Sequence, residues 1–287
     1  MYKLSSRKKL EAEEKYLQEQ LPQSVIQNIA QKKRNESKQK IKDRIAMIAS
    51  IGVAVIAWGI IAEYIFPNIP NPMEVVTWSI PTITDPWYYN SILASMGRVY
   101  TGFILGIIAG TCIGLLMGWK ARVKNWTFPS AELLRAIPPV AWVPLAIIIL
   151  SSLSPAIILV IFIGVFFAVA LNAMLGVQSI DRSIFRAATC LGANQWHIFR
   201  HILLPGSLPS ILYGMVLGMG LAWLSVVAAE MISGDYGIGY LAWQSYNLVR
   251  FPEIILAMLT IGALSYASSE VIRLVVNRFL KWKKVYV

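Results

Sequence analysis

The sequence predicts an all-α, polytopic membrane protein with six transmembrane helices. Three observations lead there. Of 287 residues, 56% are hydrophobic and only 14% charged, against roughly 25% charged in a soluble domain. Uncharged apolar stretches of about twenty residues recur, long enough to cross a hydrocarbon layer of about 30 Å. Of the 26 Lys and Arg, 23 fall in segments that those stretches place on one side, the bias that orients a membrane protein with its basic loops inside.

The elements follow in order. Residues 1–44 mix charges with Gln and hold twelve Lys and Arg, including Arg7, Lys8 and Lys9; they read as a cytoplasmic N-terminal tail, solvated or lying on the surface. Val25 to Ala30 is its one apolar contact candidate. From residue 45 the chain is a transmembrane domain. A first span is expected over Ile45 to Ala62, and the charged segment before it reads as the inner flank of an uncleaved anchor. Residues 67–90 contain five prolines and no Lys or Arg, which suits an outer connection. A second span, Ser91 to Trp119, places Gly102, Gly106, Gly110, Gly114 and Gly118 at four-residue intervals, a stripe that lets another helix approach closely.

Ser130 to Leu150 and Pro155 to Val177 form the third and fourth spans, joined by a four-residue turn. Pro138, Pro139 and Pro144 interrupt the third, which is either a kinked helix lining a pathway or a bent packing helix. Residues 178–208 are amphipathic and basic. The fifth and sixth spans, Pro209 to Glu230 and Pro252 to Val276, are separated by Ser233 to Gly239, too rich in glycine to continue a helix. Both termini lie on the inner side.

Composition also excludes functions. The formal charge of +11 suits nucleic acid in principle, but its confinement to inner segments assigns it to membrane topology. Two cysteines, Cys112 and Cys190, make no disulfide scaffold. No Gly-Lys dipeptide occurs, so the chain has no phosphate-binding loop of the Gly-x-x-x-x-Gly-Lys type. With two histidines, His197 and His201, and no third ligand beside them, neither a metal centre nor acid–base catalysis is indicated.

The informative stretch is Arg186-Ala187-Ala188-Thr189-Cys190-Leu191-Gly192, continuing through Trp196 and Phe199 to Ile202-Leu203-Leu204-Pro205. It resembles the cytoplasmic coupling loop of binding-protein-dependent ABC importer permeases, whose pattern is Glu-Ala-Ala, three residues, Gly, nine residues, Ile-x-Leu-Pro. Ala187, Ala188, Gly192, Ile202, Leu204 and Pro205 match, while Arg186 replaces the acid. Further segments resemble the nitrate, sulfonate, taurine and bicarbonate group: Arg98-Val99-x-x-Gly102-Phe103, Arg135 through Trp142 to Pro144, Ala229-Glu230-Met231-Ile232 and Gly237-Ile238-Gly239-Tyr240. The resemblance covers about residues 90–280.

It implies a type I ABC importer permease fold and a permease subunit of an ATP-driven importer for a small anion. The implied assembly contains a second permease copy as a homodimer, two ABC ATPase subunits docked on the coupling loop, an extracytoplasmic solute-binding protein and membrane lipid, with no nucleic acid. No cofactor is expected on this chain; ATP and magnesium belong to the ATPases. The implied place is the bacterial inner membrane. Physically, the loop needs an exposed apolar face, here Trp196 and Phe199, and a turn at Gly192.

Ionisable groups inside spans mark functional candidates. Arg98 either attracts an anion along the pathway or sits in an ion pair that fixes packing, and the sequence leaves the two equal. Glu230 would repel an anion, which favours a structural partner or a gate contact. Trp142 and Trp223 either line the path or pack. Arg135 with Glu132, and Arg273 with Glu270, have the spacing of helical ion pairs. The rival reading is an ATP-independent secondary transporter or channel, which calls for carboxylate-lined ion sites; these spans hold few carboxylates.

Overall fold

The structure, a computed structural model, describes residues 23–66, 68–234 and 236–279. The chain divides into two compact units, residues 1–72 and 73–287. The described part of the first unit is dominated by one helix, α1, Gln23–Tyr64. The expected first span is the end of this rod, its apolar part running over Ala49–Tyr64. Arg7, Lys8 and Lys9 lie outside the described residues.

The second unit is built on helices throughout. α2 (Pro72–Thr84) occupies the stretch expected to be an outer connection; Pro72 opens it, where the missing N–H costs nothing. α3 (Pro86–Trp119) starts five residues before the expected span, because the Asp85 side chain accepts from the Trp87 amide and Pro86 fits the first turn. It ends where Lys120 turns extended. α4 (Ala121–Ala136), a short 3₁₀ turn over Pro139–Trp142 and α5 (Val143–Leu150) replace the expected third span. The two limbs are bent by 92°. Ile137 is extended, as the residue before a proline must be, and Pro138 and Pro139 prevent recovery of the α4 axis.

α6 (Leu153–Gln178) is the fourth span. α7 (Arg182–Cys190) and α8 (Gln195–Ile198) occupy the segment expected to be the coupling loop. A π-helical segment, Phe199–Leu203, joins α8 to α9 (Leu204–Ser233), so the fifth span belongs to a continuous 39-residue helical element, Gln195–Ser233. Pro205 lacks the N–H that would close the ordinary ladder onto residue 201, which accounts for the wider turn. Gly234, with φ +65°, ends α9. α10 (Ile238–Asn247) fills part of the expected loop, and α11 (Phe251–Phe279) completes the order.

Among the described residues, four helices are long and apolar enough to cross a membrane, and the bent pair makes five. Ala49–Tyr64 is a shorter apolar helix, about 24 Å long at 1.5 Å per residue. Of the six expected spans, four are full-length helices and one is the bent pair; the first corresponds to a helix too short to count among them.

The core lies around α6, which is apolar on all sides and packs between α3 and α9. The glycine stripe of α3 makes one side of this contact possible. A Cβ at Gly106 would stand 2.7 Å from Val165 Cβ, and one at Gly118 2.6 Å from Val177 Cβ. On the other side, a Cβ at Gly214 would stand 2.8 Å from Asn172 Cβ. In lipid, close backbone approach of this kind holds helices together, since burying an apolar side chain there brings no transfer gain. Hydrogen bonds from Tyr88 to Thr260 (2.6 Å) and from Tyr100 to Ser268 (2.9 Å) tie α3 to α11.

Candidate functional site

At the end of the bundle where α3 and α6 stop, the chain forms a helix-turn-helix from Asp181 to Leu203. The Asp181 carboxylate accepts from the Ser183 amide at 2.8 Å and caps α7. That bond holds the Asp181 carboxyl below the usual carboxylate range. Gly192 adopts φ +79°, a conformation that any residue with a Cβ enters at a cost, and the Asn194 side chain caps α8 by accepting from the His197 amide at 2.8 Å.

The turn presents apolar groups. Leu191 is 88% and Trp196 63% exposed, a large uncovered apolar surface on a polar loop. Ala187 is exposed and Ala188 half-buried on α7. Phe199 is half-buried: it stacks on Trp196, at 5.7 Å, and lies against Trp119 of α3, at 5.4 Å. Leu204 and Pro205 begin α9 directly behind it. Thus Trp196 belongs to the free face of the loop, and Phe199 to its attachment. His197 and His201 stack at 5.4 Å on the loop surface.

At the opposite end of α9, Arg98 and Glu230 meet inside the bundle. Glu230 is 0% and Arg98 6% exposed, and their charged groups lie 2.9 Å apart. A charge in a low-dielectric interior persists only with partners on every side, and Glu230 has them. Its carboxylate also accepts from the Ser95 hydroxyl at 2.8 and 2.9 Å and from the Gly239 amide at 2.9 Å. Ser95 in turn accepts from the Ile238 amide at 3.0 Å. Glu230 thus occupies the N-terminus of α10, where unpaired amides favour an anion. Arg98 donates to the Ser154 hydroxyl at 3.0 and 3.1 Å and to the Tyr236 carbonyl. Gly237, at φ +143°, leaves room for the carboxylate: a Cβ there would fall on it. Four helices, α3, α6, α9 and α10, converge on this pair.

The remaining candidates lie elsewhere. Trp223 is 2% exposed in the main apolar cluster, against which Trp142 packs. Both indole N–H groups are buried without a hydrogen-bond partner. Arg135 pairs with Glu132 and Arg273 with Glu270, as their spacing predicts. Ser95, Ser154, Tyr236 and Gly239 join the buried network without having been expected. Ser95 stands one helical turn before Arg98, which is the only sequence signal for it.

Three comparisons with known proteins agree with this architecture. The family described as "Binding-protein-dependent transport system inner membrane component" matches residues 102–284. The nitrate import permease protein NrtB of Synechocystis sp. is 32% identical over 240 residues, covering 80% of this chain and 84% of that protein. A putative ABC transporter permease protein of Methanocaldococcus jannaschii is 33% identical over 253 residues, covering 85% and 94%. The bicarbonate transport system permease protein CmpB of Synechococcus elongatus is 30% identical over 257 residues, covering 85% and 90%. Among solved structures, a bacterial ABC transporter that imports alginate superposes with a TM-score of 0.58 at 13% identity, covering 84% of this chain and 99% of that one. The MetNI methionine ABC transporter in an inward-facing conformation gives 0.52 at 20% identity, covering 69% and 99%. The fold is that of ABC importer permeases, and the chain belongs to the family of inner-membrane components of binding-protein-dependent transport systems.

Proposed function

We propose that this membrane subunit serves an ATP-driven importer for a small anion of the nitrate or bicarbonate class. The observation that carries the ATP-driven part is the helix-turn-helix at the inner end of the bundle, with Leu191 and Trp196 uncovered beside the positive-φ turn at Gly192. An apolar, rigid projection of this kind suits the groove of a separate subunit. The substrate class rests on the similarity to the nitrate and bicarbonate permeases. In the complete assembly two ATPase subunits, binding ATP and magnesium, seat on the loops of two permease copies, both termini lie inside, and a solute-binding protein delivers the anion outside.

Within the permease, Arg98 and Glu230 neutralise each other and form a contact that locks four helices together rather than a binding site for the transported ion. Trp142 and Trp223 supply neutral N–H donors in the interior, a type of donor that holds a small anion weakly enough to let it pass. Transport then proceeds by alternation between two packings of the bundle, biased by the partners.

The test is co-purification of the tagged chain with its neighbouring subunits, followed by ATPase measurement in lipid with nitrate, bicarbonate and sulfonates in the presence of the binding protein. An ATPase that co-purifies with the wild-type chain and is lost with Trp196→Ala supports the reading, and the stimulating anion names the substrate. A chain that purifies alone and moves solute without ATP overturns it in favour of secondary transport.

A further inference from the structure

Beside the helix-turn-helix the protein forms an open cleft of about 700 Å³. Its walls come from the last turn of α3 (Met117, Trp119), the end of α6 (Val177), α4 (Lys124), α7 (Arg182) and α8 (Ile198). The lining holds two cations and no carboxylate. The nearest acid in sequence, Asp181, is turned to the Ser183 amide. Neither Lys124 nor Arg182 forms a salt bridge among the described residues, and the Lys124 ammonium lies 5.7 Å from the Phe128 ring centroid. Lys120 stands 5.5 Å over the Trp119 ring, an aromatic and basic pairing typical of headgroup depth.

We infer that this cleft is a site for the phosphate headgroup of an anionic phospholipid, gripped between Lys124 of α4 and Arg182 of the first coupling helix. Three features select this ligand. The position, at the inner ends of two spans, is where headgroups lie; basic pockets between helices on this face take anionic lipids. The volume fits a headgroup with the start of its acyl chains. The mixed lining matters most, because Trp119, Ile180 and Phe185, which line the cleft and are only half-buried, would stay uncovered beside a free phosphate but are covered by a lipid's glycerol and chains. The bound headgroup would join α4 to α7 across a gap that no protein ion pair bridges, so the charge of the inner leaflet would help hold the coupling loop against the bundle. This rests on the orientation proposed above, but its test needs neither ATPase nor transport, so each can fail without the other.

The full chain, purified in neutral detergent, is titrated with phosphatidylglycerol, phosphatidylcholine or inorganic phosphate while its thermal unfolding midpoint is followed. Phosphatidylglycerol should raise the midpoint in a saturable way and the other two should not. Lys124→Gln and Arg182→Gln should each raise the half-saturating lipid concentration about fivefold, and together about thirtyfold; the charge-conserving pair K124R/R182K should keep it within about threefold. Arg122→Gln, a basic exposed neighbour outside the lining, should leave it unchanged. Equal shifts with phosphatidylcholine, no loss in the double Gln variant, or equal loss with Arg122→Gln would each overturn the site. A shift reproduced by inorganic phosphate and lost in the double variant would make it a soluble-anion site and overturn the lipid assignment.

Discussion

Arg98 and Glu230 stand 132 residues apart in the chain and 2.9 Å apart in the bundle. Their pairing determines what mutation of either should do. Removing one partner leaves an uncompensated buried charge, which costs about 3–5 kcal/mol, whereas replacing both by apolar residues of similar volume is often near neutral. Arg98→Met and Glu230→Met should therefore each lower the unfolding temperature sharply, and the double variant should recover much of the loss. Thermal unfolding in detergent reads this directly; additive losses would show that the two groups act separately.

The glycine stripe makes a prediction by contrast. At Gly114 a Cβ would collide with the Ala170 carbonyl oxygen and stand 2.7 Å from Ala173 Cβ. Gly114→Val should destabilise the α3–α6 contact by about 1–3 kcal/mol, the range for forced overpacking. Gly220 on α9 has nothing within 4 Å of the same position, so Gly220→Ala should be neutral or stabilising by up to about 1 kcal/mol. Protease resistance of the two variants in one membrane preparation ranks them.

Gly192 separates conformation from crowding. Nothing lies within 4 Å of a Cβ built there, so substitution acts through φ +79° alone. Gly192→Ala should cost about 1–2 kcal/mol of turn stability and weaken ATPase association modestly, while Gly192→Pro, whose ring holds φ near −65°, should abolish it. Pull-down with the partner subunit distinguishes the three; equal binding by all would remove the turn from the docking mechanism.

Asp181 gives the helix-turn-helix a pH response. Its carboxyl titrates below the ordinary value because the Ser183 amide donates to the ionised form. A carboxyl depressed in the folded state adds stability that is fully present above its unfolded pKa and is lost as pH falls through the folded one. The Ser183 amide should therefore stay protected from exchange at neutral pH and lose protection in strong acid, relative to neighbouring amides. Asp181→Asn, which keeps a capping oxygen without the titration, should flatten that dependence.

Much of this architecture was legible in the residues, for reasons particular to each. The glycines of α3 announced a close helix contact because their interval matches one face of a helix. The break after α9 was readable from Gly234 and Gly237, both of which take positive φ. The turn between α7 and α8 followed from Gly192 with its flanking residues. The 92° bend was not readable as an angle: prolines at 138 and 139 report that the ladder stops, whereas the direction of α5 is set by its packing on α6. α2 and α10 escaped notice because the prolines and Trp of α2, and the Trp and Tyr of α10, obscure any apolar period. The partner of Arg98 was hidden for a different reason. Spacing rules connect residues one turn apart, and Glu230, Ser154 and Gly239 reach Arg98 or one another only through tertiary structure.

The helical element from Gln195 to Ser233 has a mechanical consequence. At 1.5 Å per residue it is about 58 Å long, with Trp196 at one tip and Glu230 near the other. It is a lever arm. A tilt of about 10° around its middle would carry each tip about 5 Å, more than a hydrogen bond can stretch. A displacement imposed at the Trp196 tip must therefore either be absorbed in the π-helical segment, Phe199–Leu203, or break the contacts that Glu230 makes near the other end.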